Sequence, residues 1–299
     1  MSDKMKKNLY ALKNKSFVPL TLAPALLIIV GFTYIPALYS FVLSLFKTKL
    51  FTAERFIGLE HYISVFKDES FWNSFWNTCV YSAFSILGTI IIGLLMAVLL
   101  NTKMKGKTLF RTVFFMPYVL PYAAYALLWY WIFDPRYGLI NLLLSYIGVD
   151  PIPWLTSRNW VLPAFIIMEI WKRAGFSMVL FLSGMQSIST DLYDAGLIDG
   201  ANSWQKFRHI TLPLLSPVTM FVIIISFIHT FQLFVEPFVM TKGGPSGASS
   251  SVVYTVYQEG FRLLNIGRSS AMAVVVFVFV FLFTLLILWK FDVKGVSDE

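Results

Sequence analysis

The sequence predicts an all-α integral membrane protein with six transmembrane helices, and two observations carry that prediction. Of the 299 residues, 57% are hydrophobic and only 13% are charged, which leaves too few charged side chains for a water-soluble surface. Apolar runs also recur along the chain, and a helix of about 20 apolar residues crosses the ~30 Å hydrocarbon core of a bilayer. We therefore expect a lipid membrane to surround most of the chain.

Six apolar runs give the predicted spans. The fourth run, residues 159–190, contains Glu169, Lys172 and Arg173, but its other residues are too apolar for a solvated loop. The first run is too long for a signal-peptide core and no small-residue cleavage site follows it, so we expect it to be retained. The remaining five runs are 17–46, 70–102, 112–133, 210–235 and 269–289.

Lysine and arginine counts predict the orientation. Positively charged flanks stay in the cytoplasm, and 13 of these residues lie on the N-terminal side of the membrane against 9 on the other side. Both termini are therefore predicted to be cytoplasmic. The predicted domains are a basic N-terminus (1–16), a six-helix transmembrane domain (17–290) with a cytoplasmic loop (191–217), and a cytoplasmic tail (291–299).

Several classes of function are excluded by the residues that are present. The net charge of +8 arises from clusters at the ends of apolar runs, which suit lipid headgroups rather than nucleic acid. The single cysteine, Cys79, rules out an internal disulfide and is read as a small buried side chain. Gly106-Lys107-Thr108 looks like the end of a phosphate-binding loop, but Asn101 replaces the first glycine of that motif. With no HExxH or paired Cys/His set, we expect neither a metal site nor catalytic residues.

The most informative segment is the polar loop 192–217, which is far longer than a turn between two spans requires. Residues 191–198 have helix-like spacing, and a second short helix is predicted through Phe207, ending at Pro213. Gly200 lies between them and is expected to reverse the chain, because glycine tolerates positive φ. A loop this specific usually docks onto a partner. An interfacial helix without a partner is the alternative.

The spacing of this loop resembles the EAA loop of binding-protein-dependent ABC importers, the cytoplasmic segment through which a membrane subunit grips its ATPase. The resemblance implies ATPase-coupling roles for Asp194, Ala195, Gly196, Asp199, Gly200, Ala201 and Phe207. Two residues depart from the family's pattern, since Asp194 replaces its usual glutamate and Gly196 its second alanine. The shorter carboxylate and the more flexible backbone alter the detailed geometry of docking.

Other segments extend the resemblance over most of residues 17–290. They are similar to parts of carbohydrate-type permeases, the membrane subunits of sugar and glycerol-3-phosphate importers. The matching segments are FRTVFFMPY at 110–118 with Trp129, YGLIN at 137–141, TKGGP at 241–245 and IGRSSAMA at 266–273.

The resemblance implies a type I ABC importer permease (MetI-like) fold in the bacterial cytoplasmic membrane. It implies a sister permease, two ATPase subunits that carry the ATP and Mg²⁺, and an extracellular sugar-binding protein that delivers a sugar substrate. The chain itself would hold no cofactor and would work by alternating access rather than as an enzyme. A glycerol-3-phosphate or other small-solute cargo stays open as an alternative.

Candidates for the substrate path are polar residues at membrane depth. Glu169 lies eight residues past Val161, or ~12 Å into the fourth span at 1.5 Å per residue. Glu169 and Arg173 are i,i+4 neighbours. Either they form an internal ion pair, or they bond to sugar hydroxyls while a sugar ring stacks on Phe176. The resemblance to maltose-type permeases places sugar contacts in this part of the helix, around Trp171.

The fifth span offers a second set of candidates. His229 and Gln232 are three residues apart on one helix face, and Glu236 follows a turn later. The alternative for His229 is a satisfied core histidine. In the third span, Pro117 and Pro121 are expected to kink the helix and free backbone carbonyls, either beside a cavity or as packing features.

Two rivals from other classes stay open. A secondary transporter would use Glu169 and His229 as a proton relay and would transport without any ATPase. A membrane-embedded enzyme would need a nucleophile or a metal set, and the sequence offers neither.

Overall fold

The computed structural model describes residues 21–49, 52–102 and 104–290. The predicted cytoplasmic N-terminus and tail, and the first residues of the first span, lie outside the described residues. The chain divides into two compact units, one with Met1–Val65 and Glu259–Val274 and the other with Phe66–Gln258 and Val275–Glu299. Both are predominantly helical, as predicted.

The first unit starts with helix α1, Thr21–Leu43. A hairpin follows, in which β1 (Phe46–Lys49) pairs antiparallel with β2 (Thr52–Phe56). The short helix α2 spans Glu60–Phe66 and ends at the unit boundary. The sequence analysis did not predict the hairpin, because its strands are short and largely exposed.

Gly267 lies where the hairpin meets the returning chain of the same unit. Its N–H donates to Thr48 Oγ1 at 3.0 Å, and a Cβ at this position would lie 2.5 Å from the carbonyl oxygen of Phe46. Next to it, Arg268 donates to Glu259 Oε1 at 3.0 Å, as does the amide of Asn265 at 2.9 Å. Glycine at this position is therefore explained by close backbone packing.

The second unit is built around two long helices. Helix α3, Glu69–Leu100, begins at Asp68, whose carboxylate accepts hydrogen bonds from the N–H groups of Ser70 and Phe71. A buried stripe on α3 consists of small residues, which allow the other long helix to approach closely: Ser74, Thr78, Ser82, Ser85, Thr89, Gly93 and Ala97.

The third apolar run forms two helices rather than one. Helix α4 spans Lys107–Val119, α5 spans Tyr122–Ile132, and their axes differ in direction by 100°. Both prolines were expected to kink this run, but the break is at Pro121, whereas Pro117 stays inside α4. Pro121 holds the preceding residue, Leu120, in an extended conformation with ψ of 132°. The kink expected in this run is therefore present at Pro121 and absent at Pro117.

The charged fourth run forms an unbroken helix. After the short helix α6 (Leu139–Ser145), α7 runs from Val161 to Ser187, which at 1.5 Å per residue is ~40 Å. Its first half packs in one apolar cluster, with Val161 and Phe165, and its second half in another, with Phe181 and Leu182. The three charged residues lie between these clusters.

Two short helices follow α7 and lead into the fifth run. Helix α8 spans Thr190–Ile198 and α9 spans Ser203–Leu214. A 61° bend then leads into α10, Ser216–Thr230. Pro213 was expected to end the second short helix, but the helix continues through it for one residue and breaks at Leu215. Proline is tolerated there because a π turn precedes it and already interrupts the regular hydrogen bonding.

The chain finishes with α11 (Val252–Tyr257) and α12 (Ile266–Lys290). Within the described residues, three helices are long and apolar enough by themselves to cross a membrane: α1, α3 and α12. The bent pairs α4/α5 and α9/α10 raise that number to five. Helix α7, with its three charges, is not among them. The sixth span and the orientation of the termini stay predictions.

Candidate functional site

The charged residues of α7 are buried and partnered. Arg173 Nε donates to Glu169 Oε1, and Arg173 Nη2 donates to the hydroxyl of Tyr122 at 2.7 Å. The internal ion pair that the i,i+4 spacing suggested is therefore present. Burial strengthens the attraction between the two charges and explains why each needs the other.

Lys172 binds backbone carbonyl groups at the break between α4 and α5. Its Nζ donates to the carbonyl oxygens of Leu120 at 2.7 Å and Pro117 at 3.2 Å, and lies 3.5 Å from that of Tyr118. It also lies 4.5 Å from the centre of the Tyr122 ring. Because Pro121 has no N–H, it cannot donate to the Pro117 carbonyl. That carbonyl instead accepts from the Leu120 N–H at 3.3 Å and from the Lys172 ammonium group.

Sequence reasoning did not include Lys172 among the site residues. Two features of the sequence could have identified it. Lys172 is a third charge beside the predicted ion pair, and the preceding apolar run contains a proline that breaks its helix. That combination predicts an unpaired cation and unpaired carbonyls at similar depth, which can satisfy each other.

A cavity of about 280 Å³ brings together candidates from two segments. Glu169 of α7 lies in its wall with His229 from the end of α10, and with Gln232 and Glu236 from the segment that follows α10. Glu236 is 4% exposed. The remaining lining residues are Tyr81, Tyr122, Leu233, Phe234 and Val235. Two of the predicted candidates, Arg173 and Phe176, are not among the residues that line the cavity.

The aromatic candidates of α7 stack on other rings of the same unit. Phe176 lies parallel to Tyr118, with ring centres 4.6 Å apart. Trp171 stacks on Tyr125 at 6.1 Å and meets Trp129 edge-on at 5.5 Å. Trp171 also lines a separate, largely apolar cavity of about 690 Å³. Neither ring offers a free face to the 280 Å³ cavity.

The loop between α7 and α10 is a helix–turn–helix with its own internal bonds. Gly200 adopts φ of +76°, which confirms the predicted chain reversal. Asn202 and Gln205 form a reciprocal capping box at the start of α9, and the hydroxyl groups of Tyr193 and Thr211 lie 2.9 Å apart. The Tyr193–Thr211 bond connects the two helices of the loop, and the capping box fixes the start of α9.

The small residues of this loop serve two different purposes. Gly196 faces α9, because a Cβ there would lie 3.1 Å from Ile210 Cδ1, whereas a Cβ at Gly200 would meet nothing within 4 Å. Close packing inside the loop therefore explains Gly196. The other coupling candidates are placed as follows: Asp194, Ala195 and Asp199 are exposed, and Ala201 and Phe207 are half-buried.

Large apolar side chains point outward from the same loop. Ile198 is 87% exposed, and Leu197 and Trp204 are also mostly exposed. Trp204 stacks on Phe207, with ring centres 5.6 Å apart. We call Leu197, Ile198 and Trp204 the apolar ridge. Such a group at a loop surface is typical of a contact with another protein.

The loop that carries the TKGGP segment is fixed to α3. The Asn77 amide donates to the carbonyls of Gly247 at 2.9 Å and Ser250 at 3.1 Å, and Asn73 donates to Gly247 O at 3.1 Å. Ser249 Oγ donates to the carbonyl of Gly244 at 2.5 Å. Near this loop, Gly244 and Asp134 share a small cavity of about 300 Å³.

Asp134 lies two residues past the end of α5 and stabilises the turn there. Its carboxylate accepts hydrogen bonds from the N–H groups of Tyr137 at 2.9 Å and Arg136 at 2.8 Å. These N–H groups stabilise the ionised form and lower the pKa of Asp134 below its ordinary value. The turn they form belongs to the segment that starts the YGLIN motif, so part of that motif is explained by folding.

A family model decides between the classes left open above. The model described as "Binding-protein-dependent transport system inner membrane component" matches residues 89–290 of this chain. The chain belongs to that family. The matched region contains the Lys172 cluster, the helix–turn–helix loop and every residue named for the 280 Å³ cavity except Tyr81. It confirms the resemblance to ABC importer permeases. The chain is thus a membrane-embedded transport subunit.

Curated relatives agree with the family and align over nearly their whole length. The trehalose/maltose transport system permease protein MalF of Thermococcus litoralis is 35% identical over 90% of this chain and 91% of its own. The sulfoquinovosyl glycerol transport system permease protein SmoG of Agrobacterium fabrum is 33% identical over 85% and 83%. The sn-glycerol-3-phosphate permease protein UgpA of the same organism is 32% identical over 87% and 89%.

A solved structure shows the same fold. A chain of a bacterial ABC transporter involved in the import of the acidic polysaccharide alginate superposes with a TM-score of 0.82, at 24% identity, over 98% of this permease and 100% of that chain. The predicted ABC importer permease fold is therefore confirmed.

Proposed function

We propose that this permease is one of two membrane subunits of an ATP-driven importer that takes up a sugar from an extracellular binding protein. The observation that carries the proposal is the 280 Å³ cavity, in which hydrogen-bonding side chains of two segments converge inside a chain of this family. The names of the relatives support it, since they refer to trehalose/maltose, sulfoquinovosyl glycerol and glycerol-3-phosphate. The cell location is then the bacterial cytoplasmic membrane.

The proposal also includes the topology: six transmembrane spans, with both termini in the cytoplasm. Helix α7 is the sixth span, and its charges do not prevent that assignment. A charged side chain within a bilayer faces the protein interior and pairs with another group. All three charged residues are buried, and Glu169, Lys172 and Arg173 have partners inside the same unit.

The helix–turn–helix loop is the proposed docking element for an ATPase subunit. The apolar ridge is a group of exposed apolar side chains on a loop, as is typical of a surface that another protein covers. Asp194, Ala195, Asp199 and Gly200 are accessible beside it. The bonds inside the loop make it rigid enough to pass movements of the ATPase to α7 and α10 as rigid-body motion. ATP and Mg²⁺ belong to two ATPase subunits, and this chain holds no cofactor.

A reconstitution experiment tests the proposal. The permease is co-expressed with the sister permease, the ATPases and the binding protein, and uptake of radiolabelled trehalose, maltose and sn-glycerol-3-phosphate into proteoliposomes is measured. We expect uptake that requires both internal ATP and the binding protein. Uptake by the isolated chain, driven by a pH gradient alone, would instead favour the proton-coupled secondary transporter.

A further inference from the structure

We infer that the 280 Å³ cavity selects an uncharged, polyhydroxylated solute and rejects solutes that carry a phosphate, sulfonate or carboxylate group. This inference rests on the proposed function and names the substrate class of the same site. Family membership alone leaves the class open, because similarly close relatives are named for trehalose/maltose and for sn-glycerol-3-phosphate.

The first argument is the placement of the positive charges. Among the described residues that line the cavity, none is lysine or arginine. Both cations of α7 are already bound to other groups of the protein. Arg173 donates to Glu169 and to the Tyr122 hydroxyl, and Lys172 donates to the carbonyls of Leu120 and Pro117. An anionic solute would therefore lose its hydration without gaining a cationic partner.

The second argument is the presence of two carboxyl groups in the wall. Glu169 is paired with Arg173, whereas the described residues contain no ion-pair partner within 4 Å of Glu236. Whether protonated or ionised, a carboxyl group supplies no positive charge, and in its ionised form it repels an anion. Among the described lining residues, His229 is the one group that can become cationic, and its imidazole is a far weaker anion partner than the permanent cation of an arginine.

The third argument is hydrogen-bonding capacity. Gln232 offers both donors and acceptors, neutral His229 offers one of each, and the hydroxyls of Tyr81 and Tyr122 do the same. This mixture matches sugar hydroxyls, which also donate and accept.

The test is equilibrium binding to the purified importer complex in nanodiscs at pH 7.5, without the binding protein, so that its own selectivity does not interfere. The radiolabelled probes form matched pairs: glycerol and sn-glycerol-3-phosphate, trehalose and trehalose 6-phosphate, maltose and maltose 1-phosphate. We expect at least one uncharged member to bind ten-fold or more tightly than its phosphorylated partner. Preference for the phosphorylated member in any pair, or no binding of any uncharged member, overturns the inference.

Variants assign the selectivity to the cavity. Glu236→Lys places a cation in the wall and is expected to reduce or reverse the preference for the uncharged probe. Glu236→Gln is expected to reduce that preference several-fold, while the uncharged probe still binds. The matched control is Glu54→Lys, the same change on the exposed strand β2, which is expected to leave the preference unchanged. If Glu236→Gln and any Glu236→Lys protein that folds keep the wild-type ratio, Glu236 does not set the selectivity and the inference fails.

Failure of this inference is distinguishable from failure of the proposed function. Uptake of an anionic probe that depends on ATP and on the binding protein would leave the importer proposal intact. It would contradict the inferred selectivity for uncharged solutes. Uptake that needs neither ATP nor the binding protein would remove the importer proposal itself.

Discussion

Replacement of Lys172 by methionine tests the bond between α7 and the break at Pro121. Methionine keeps much of the length and apolar stem of lysine but has no ammonium group. The variant removes the lysine donor from the Leu120 carbonyl, in a site where the lysine is only 2% exposed. The Pro117 carbonyl also loses its bond to the lysine but keeps the one from the Leu120 N–H at 3.3 Å. We expect a lower stability and a loss of transport.

The magnitude follows from the contacts that disappear. The Leu120 carbonyl left without a partner costs about 1–3 kcal/mol, and the bond lost at the Pro117 carbonyl, which keeps another donor, costs about 0.5–1.5 kcal/mol. Loss of the contact with the Tyr122 ring adds about 1 kcal/mol. Removal of a buried charge recovers part of this, because the ammonium no longer has to be desolvated. A net destabilisation of about 3 kcal/mol is our working value.

The assay is thermal unfolding of the purified protein in detergent, followed by tryptophan fluorescence, together with uptake in proteoliposomes. Lys172→Arg keeps the charge and is expected to recover part of the stability. The matched control is Lys67→Met, at an exposed position, which is expected to change stability by less than about 0.5 kcal/mol. The reasoning is refuted if Lys172→Met unfolds at the same temperature as the wild type.

The other predictions concern the loop, the orientation and the ion pair. Gly200→Val forces a β-branched residue to φ of +76° and adds bulk to an open surface. ATPase coupling and uptake should therefore fall, while the protein still inserts into the membrane. Unchanged uptake and unchanged substrate-stimulated ATPase activity would contradict the docking role. A cysteine at Ser203 should be shielded from an impermeant thiol reagent in intact cells, whereas one at Ser246 should react; labelling at 203 would invert the orientation. Glu169→Gln and Arg173→Gln each leave one buried charge unpaired, at a cost of about 3–5 kcal/mol, and the double variant should recover expression but not transport. Full recovery of uptake would show that the two residues only neutralise each other.

The sequence by itself determined the features that depend on local spacing and average polarity. Apolar runs of sufficient length identified the helices, and Gly200 marked the chain reversal because its backbone freedom is a local property. The pair of Glu169 and Arg173 was readable for the same reason, since residues four apart on a helix are neighbours whatever surrounds them. The proline pattern also indicated where carbonyls would be freed.

The tertiary structure decided which distant groups meet. Lys172 finds its partners more than 50 residues earlier in the chain, and their position depends on the 100° bend, whose direction no sequence pattern specifies. Phe176 looked available for a sugar ring, but it stacks on Tyr118, a contact that only the packing of α4 against α7 creates. Glu236 and Glu169 are likewise far apart in the sequence, and they lie in the same cavity wall only because the chain is folded. Hydrophobic periodicity reports how buried a position is on average, but the identity of each neighbour is fixed only when the helices pack.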